Sequence, residues 1–238
     1  GDLTQASALV EMGVQLSIAG DEVFQAVESI LPEVIEDSNS VSIPELLNVL
    51  KNTDSQLLAA QVALSRARAA RLQVQTEHIS ESTSTLLLNK IDAVLLAMQG
   101  AFPADEVLQM ARLAPRLLGA VGSGSQTYLI LIQNEDELRP TGGFISAVGR
   151  LVVDNGKITN LAFEGVSKID DFSKPYPTSP WQLDEYMRSE ILILRDSNWF
   201  TNFPTTVEWV EFLYTYSRSG SIDGVIAIDQ HVVVEILR

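Results

Sequence analysis

Two short stretches of this chain combine residue types that could grip a phosphate. The first is Arg139-Pro140-Thr141-Gly142-Gly143, set between two apolar, strand-like runs. Pro140 fixes the backbone direction after Arg139, and the two glycines permit positive φ and close approach of a ligand. Successive N–H groups in such a turn can form an anion-binding nest, to which Arg139 adds a forked donor suited to phosphate oxygens. The competing reading is an irregular strand connection whose arginine pairs with Glu135, Asp136 or Glu137. The second stretch is Arg195-Asp196-Ser197-Asn198, delivered at the end of the apolar run Ile191–Leu194. Ends of core elements are where sites are usually built. Arg195 could hold a phosphate there, and Asp196 a hard divalent ion such as Mg²⁺ through oxygen. The plainer alternative is a local Arg195–Asp196 polar network that caps the following turn.

Other chemistries are poorly supplied. The chain has 238 residues and no cysteine, which excludes disulfides, thiolate catalysis and cysteine-based metal sites. The only histidines, His78 and His231, lie in different halves, so a histidine relay or histidine-based metal site is poorly supported. His78 reads as a helix-surface residue and His231 as the flank of a strand ending at Asp229. Sixteen basic against 31 acidic residues give a formal charge of -15. Nucleic acid is therefore a poor partner, since phosphate backbones need a basic surface, and an anionic membrane surface is disfavoured alike. Arg66, Arg68 and Arg71 form a local basic patch, read as a solvated helix face paired with acids on a neighbouring helix.

The elements that must position these residues fall into two halves. Residues 1–119 read as a helical bundle and residues 120–238 as an α/β or α+β domain. In the first half, Leu9, Leu16, Val23 and Ile30 recur every seven residues, with Met12, Ala19, Val27 and Val34 in the other seam position. A second stripe, Leu46, Leu50, Thr53, Leu57, Ala60, Leu64, Ala67 and Arg71, follows a helix start at Ser42-Ile43-Pro44-Glu45. Ile79, Leu86, Ile91, Val94 and Met98 make a third, and Pro103-Ala104-Asp105-Glu106 opens a fourth helix ending near Gly119. Helices with one apolar stripe each predict an antiparallel bundle or coiled-coil hairpin. Beyond Gly119, Gly122 and Gly124 the pattern changes. Tyr128–Ile132 is a buried-strand run, and Phe144–Val153 and Lys157–Val166 are strands joined at Asp154-Asn155-Gly156. A helix from Pro204 to about Gly220 and a short strand at Val225–Ile228 follow. The apolar residues Val232, Val233, Val234, Ile236 and Leu237 predict that the domain continues past Arg238.

Three stretches, YLILIQNEDELRPTGGFISAVGRLVVDNGKI, LRDSNWFTNFP and DGVIAID, also carry a resemblance. In this order they resemble a bacterial family known as domain of unknown function four-thousand-and-twelve, over roughly residues 127–230. That family is distantly similar to the LytR–CpsA–Psr enzymes, which transfer glycan chains from polyprenyl-pyrophosphate carriers onto cell-wall peptidoglycan. The resemblance implies a LytR–CpsA–Psr-like sheet-and-helix domain and an extracytoplasmic protein anchored in the membrane by an N-terminal helix outside this chain. It implies glycan phosphotransferase or ligase activity, with Arg139, Arg195 and Asp196 catalytic and Asp196 the holder of Mg²⁺. Thr141, Gly142, Gly143 and Asn198 would bind the substrate, a lipid-linked glycan or cell-wall polymer. Where those enzymes carry Asp after Arg-Ser, this chain has Thr141 after Arg139-Pro140. The alternative is a non-catalytic assembly module that binds a protein partner through its helical bundle.

Overall fold

The computed structural model describes residues 2–32, 41–100, 103–122 and 124–236. Two compact units are distinguished: Gly1–Gly124 with Asn155–Lys157, and Ser125–Asp154 with Ile158–Arg238. The element order is mixed α/β, helices first and then a four-stranded sheet with further helices.

In the first unit, α1 (Asp2–Val27) packs on α3 (Asp54–Gln73), with α2 (Ile43–Asn52) between them in sequence. The pair is antiparallel: Gln5, near the start of α1, donates to the Gln73 carbonyl at 3.4 Å and accepts from the Gln75 N–H at 2.7 Å. Ala8, Met12 and Ala26 from α1 are buried, as are Leu57, Ala60, Ala63, Leu64, Ala67 and Ala70 from α3. Alanines leave little between the two backbones, so the helices can approach closely. That choice corrects the expected α1 stripe. Leu9 and Leu16 are only partly covered and Val23 is 37% exposed, because the alanine-lined partner takes small side chains at its centre and leaves larger ones at the seam edges. Val34 lies outside the described residues.

The second stripe begins as expected, at a capping box. The Ser42 hydroxyl accepts from the Glu45 N–H, the Glu45 carboxylate accepts from the Ser42 N–H, and Pro44 occupies the first turn. The stripe does not run through as one helix. Thr53 breaks it, its N–H and hydroxyl both donating to the Val49 carbonyl at 3.0 and 2.9 Å. Leu47 is consequently buried where Leu46 was expected. The third stripe is displaced by one residue for a different reason. Between α4 (Glu81–Leu86) and α5 (Asp92–Ala97) lies a π-helical turn, Leu87–Ile91. The wider turn absorbs one extra residue, so Leu87 and Leu95 share one buried face, while Leu86 and Val94 are exposed. The fourth helix, α6 (Ala104–Leu117), follows Pro103 as expected. Arg71 donates from Nε and Nη2 to Asp92, both at 2.6 Å, and Arg68 pairs with Asp105. Two arginines of the basic patch, Arg68 and Arg71, thus link to acids on neighbouring helices, and Arg66 is exposed.

The second unit is built on β1 (Gln126–Arg139), β2 (Gly142–Asp154), β3 (Lys157–Gly165) and β4 (Gly224–Asp229), in the order β3-β2-β1-β4. β1 runs antiparallel to β2 and parallel to β4. Asn155 and Gly156 take φ of 45° and 75°, the left-handed conformations that a two-residue hairpin turn requires. Helix α7 (Trp181–Met187) lies in the long connection, and α8 (Phe203–Ser217) starts where the Asn202 side chain accepts from the Thr205 N–H at 3.1 Å. Val210, Leu213 and Tyr214 of α8 close over Leu129, Leu131, Ile145 and Val148 of the sheet. Leu192, Ile193 and Leu194 are buried as expected, yet they form no strand; the run feeds a 3₁₀ turn, Leu194–Trp199. Helix α9 (Gln230–Ile236) follows β4 directly. Among the described residues no helix is long and apolar enough to cross a membrane.

Candidate functional site

The first phosphate candidate is a tighter turn than its composition suggested. Arg139 pairs with Gly142 across the β1–β2 ladder, so only Pro140 and Thr141 remain as the connection. The irregularity sits earlier, where the ladder breaks between Asn134 and Leu138 and carries Glu135, Asp136 and Glu137 out of register. Both glycines answer to that geometry. Gly142 has φ of 124°, and a Cβ on it would lie 2.0 Å from the Gln133 amide oxygen. A Cβ on Gly143 would lie 2.1 Å from the Asn134 carbonyl oxygen and 2.6 Å from the Glu135 nitrogen, both backbone atoms. The pair therefore lets β2 pass against the out-of-register segment. Gln133 Nε2 ties the turn further by donating to the Thr141 carbonyl at 3.1 Å.

The second candidate stretch docks on this turn. Asn198 is fully buried and donates from Nδ2 to the Gly143 carbonyl at 2.7 Å. The Thr141 hydroxyl donates to the Asn198 carbonyl at 3.3 Å and lies 3.2 Å from the Thr206 hydroxyl of α8. Thr141, Gly142, Gly143 and Asn198 are thus brought together, with Asn198 bonded to both Gly143 and Thr141. The arginines converge on one carboxylate. Asp196, 3% exposed, has Oδ1 at 3.6 Å from Arg139 Nη2 and Oδ2 at 3.2 Å from Arg195 Nε. Arg139 is itself buried, its guanidinium stacked 5.5 Å from the Phe144 ring centre and held by Glu137 at 2.8 Å. This is the Arg139–Glu137 pairing of the competing reading, together with the Arg195–Asp196 local network. Two polar atoms of this neighbourhood remain over: Arg139 Nε and Asn198 Oδ1 are buried with no hydrogen-bond partner among the described residues.

Sequence reasoning missed one member of this neighbourhood. Asp170 lies just after the short 3₁₀ turn Val166–Lys168 and accepts from the Leu194 N–H at 3.2 Å. Burial pushes its carboxyl above the ordinary range, and the charge of Asp196 adds to the rise. Hydrogen bonds from Leu194 and Tyr176 and the charge of Arg195 pull the other way. Nothing in the local sequence separates Asp170 from Asp171 beside it; only the fold turns one toward Arg195.

The donor set around Asp196 suits guanidinium groups and not Mg²⁺. Both its oxygens face arginines, and a divalent cation placed there would meet two positive charges and too few oxygens for its octahedral shell.

Residues 123–238 match the family described as Protein of unknown function (DUF4012), and this part of the chain is similar to that family. No curated protein and no solved structure gives a significant match to the chain.

Proposed function

We propose that the Arg139–Asp196–Arg195 cluster binds the phosphate of a phosphorylated or polyprenyl-pyrophosphate-linked glycan. The observation that carries this reading is the convergence of two arginines, distant in sequence, on one buried carboxylate at the end of the β1–β2 hairpin. Arg195 is 49% exposed at its side chain and meets the ligand first. Glu137, half exposed, is the displaceable partner: an incoming phosphate takes its place on Arg139 and also engages the orphan Nε donor. Asp196 stays as the fixed carboxylate that orients both guanidiniums. Binding thus works by exchange of one anion for another, which suits a chain whose net charge is strongly negative.

The resemblance to LytR–CpsA–Psr enzymes extends this reading to transfer and to the outside of the bacterial membrane, where lipid-linked glycans are used. An acceptor hydroxyl would form a new O–P bond at the sugar-side phosphorus while the P–O–P bridge breaks and polyprenyl phosphate leaves. Asp170, beside Arg195 and held in its less acidic state by burial, is the group to receive the hydroxyl proton. Both arginines would stabilise the leaving phosphate by charge alone.

The second reading, a non-catalytic assembly module, draws on the helical unit. An apolar groove of about 320 Å³ there is lined by Leu16, Ala19, Val23, Leu64, Met98 and Leu108. Titration of the chain with farnesyl pyrophosphate by calorimetry separates the two. Phosphate binding predicts saturable association that Arg195→Ala weakens by roughly ten- to a hundred-fold, the worth of a charged hydrogen bond, and that Glu137→Gln strengthens. A parent that does not bind, or an Arg195→Ala variant that binds equally well, leaves the assembly reading.

A further inference from the structure

At the carboxyl ends of the parallel strands β1 and β4, three potential metal ligands from separate segments meet. Asp229 closes β4 and stands in register with Gln133 of β1. His231 follows in the first turn of α9, and Glu135 arrives from the out-of-register segment of β1. Their ligand atoms all lie within 4.8 Å of one another. The His231 Nδ1 already touches the Glu135 carboxylate. Asp229 Oδ1 accepts from the Val232 N–H at 3.0 Å, which fixes that carboxylate and leaves its second oxygen free to turn to a ligand.

We infer that Glu135, Asp229 and His231 form a site for a divalent transition cation, Zn²⁺ being the best fit. The cation would sit between the imidazole and Glu135, and two carboxylates neutralise its charge. Ligand distances of about 2.0–2.2 Å would set the donor atoms about 3.4 Å apart in a tetrahedron, within reach of small side-chain rotations. An imidazole among the ligands favours zinc and its neighbours over Mg²⁺, which prefers oxygen alone. Three protein ligands leave a fourth position, and His231, 74% exposed at its side chain, opens it to solvent and to a bound molecule. A surface ion pair between His231 and Glu135 would have no need of Asp229, which closing β4 brings to the same point. The crevice at the carboxyl ends of parallel strands is also where α/β sheets commonly bind ligands. No residue here belongs to the Arg139–Asp196–Arg195 cluster, so the two sites stand or fall separately.

Calorimetric titration of the chelator-stripped 238-residue chain with ZnCl₂ tests the site. One saturable site per chain is expected, with His231→Ala and Glu135→Gln each weakening it by about tenfold or more and His78→Ala leaving it unchanged. The imidazole nitrogen spectrum gives a second readout, because the chain has only 2 histidines. Zn²⁺ should move the His231 nitrogens and spare those of His78. Circular dichroism of each variant checks that the fold is kept. Absence of saturable binding, equal affinity for Mg²⁺, retention of full affinity in His231→Ala, or a response confined to His78 would each overturn the assignment.

Discussion

In the helical unit, arginines lie across the seams: Arg71 reaches Asp92 with 17% of its side chain exposed, and Arg112 reaches Asp54 with 26% exposed. In the sheet unit, Arg139 keeps only 8% exposed and shares Asp196 with Arg195. Residue types are the same, yet the environments give them different weight. An exposed pair gains modestly from Coulomb attraction that water and salt screen, while a buried one is costly to break because its partner is left charged and dry. Two glycines show the same contrast. A Cβ on Gly13 of α1 meets nothing within 4 Å, whereas one on Gly143 drives into backbone at 2.1 Å. Arg71, Arg112 and Gly13 lie at the margin of the helical unit's frame, whereas Arg139 and Gly143 are part of the sheet unit's.

That contrast is most severely tested at Asp196. Its replacement by Ala should destabilise the sheet unit by about 3–5 kcal/mol, the usual result of stranding a buried partner, read as a lower denaturation midpoint. A loss no larger than that of a surface pair would place Asp196 with Asp92 and dissolve the distinction. Gly143→Ala comes next. Overpacking against fixed backbone should cost about 1–3 kcal/mol, and hydrogen exchange should rise at Asn134 and Gly143 first. Gly13→Ala is the smaller converse: with open space around it, the change should stabilise α1 by roughly 0.5–1 kcal/mol through helix propensity. A thermal midpoint that falls would mean α1 depends on that glycine after all.

The finest of these effects appears only as a pH slope. Asp170 has a carboxyl raised from its ordinary value of 3.8 by burial first of all. A raised folded-state pKa means that the native chain binds protons more readily than the unfolded one. Its contribution to stability is complete below about pH 3.8 and is lost as pH climbs through the folded value. Asp170→Asn, which keeps an acceptor for the Leu194 N–H, should flatten that part of the curve in urea titrations at stepped pH. Parallel curves for parent and variant would remove Asp170 from the list of strained groups.

Much of this architecture was legible in the chain because it rests on local chemistry. Asn155-Gly156 can hardly be anything but a tight hairpin turn, and Ser42 to Glu45 carries its capping box in four letters. Leu57, Ala60, Leu64 and Ala67 were read correctly as one buried face. The errors came where a distant partner decides. The seam of α1 does use Met12, with Leu9, Leu16 and Ala19 packed beside it, but counting large apolar residues passes over Ala8 and Ala26, which the close approach of α3 buries. A π turn adds a residue to one helical repeat without any special composition, and it is this turn that sets Leu87 and Leu95 on one buried face. In the candidate site, Arg139, Arg195 and Asp196 are identifiable by type, while the convergence of both arginines on the one carboxylate is not. Which charge faces which is a property of folded distance, and a sequence does not carry it.

The three-residue excursion at Glu135, Asp136 and Glu137 has a consequence for how such a molecule can change over time. The ladder slips by one residue between Ile132 and Gln133, reaches Asn134 against Phe144, and resumes at Leu138 against Gly143. Substitutions within the excursion therefore leave every other cross-strand partnership alone. Glu137 answers to Arg139, Glu135 answers to His231, and Asp136 is exposed. Such a segment behaves as a cassette whose two outer positions are tied to partners while its middle one is open to drift. Variation among descendants of this chain should accumulate at exposed Asp136 sooner than at Glu135 or Glu137, or at Leu129 or Leu131 upstream on the same strand.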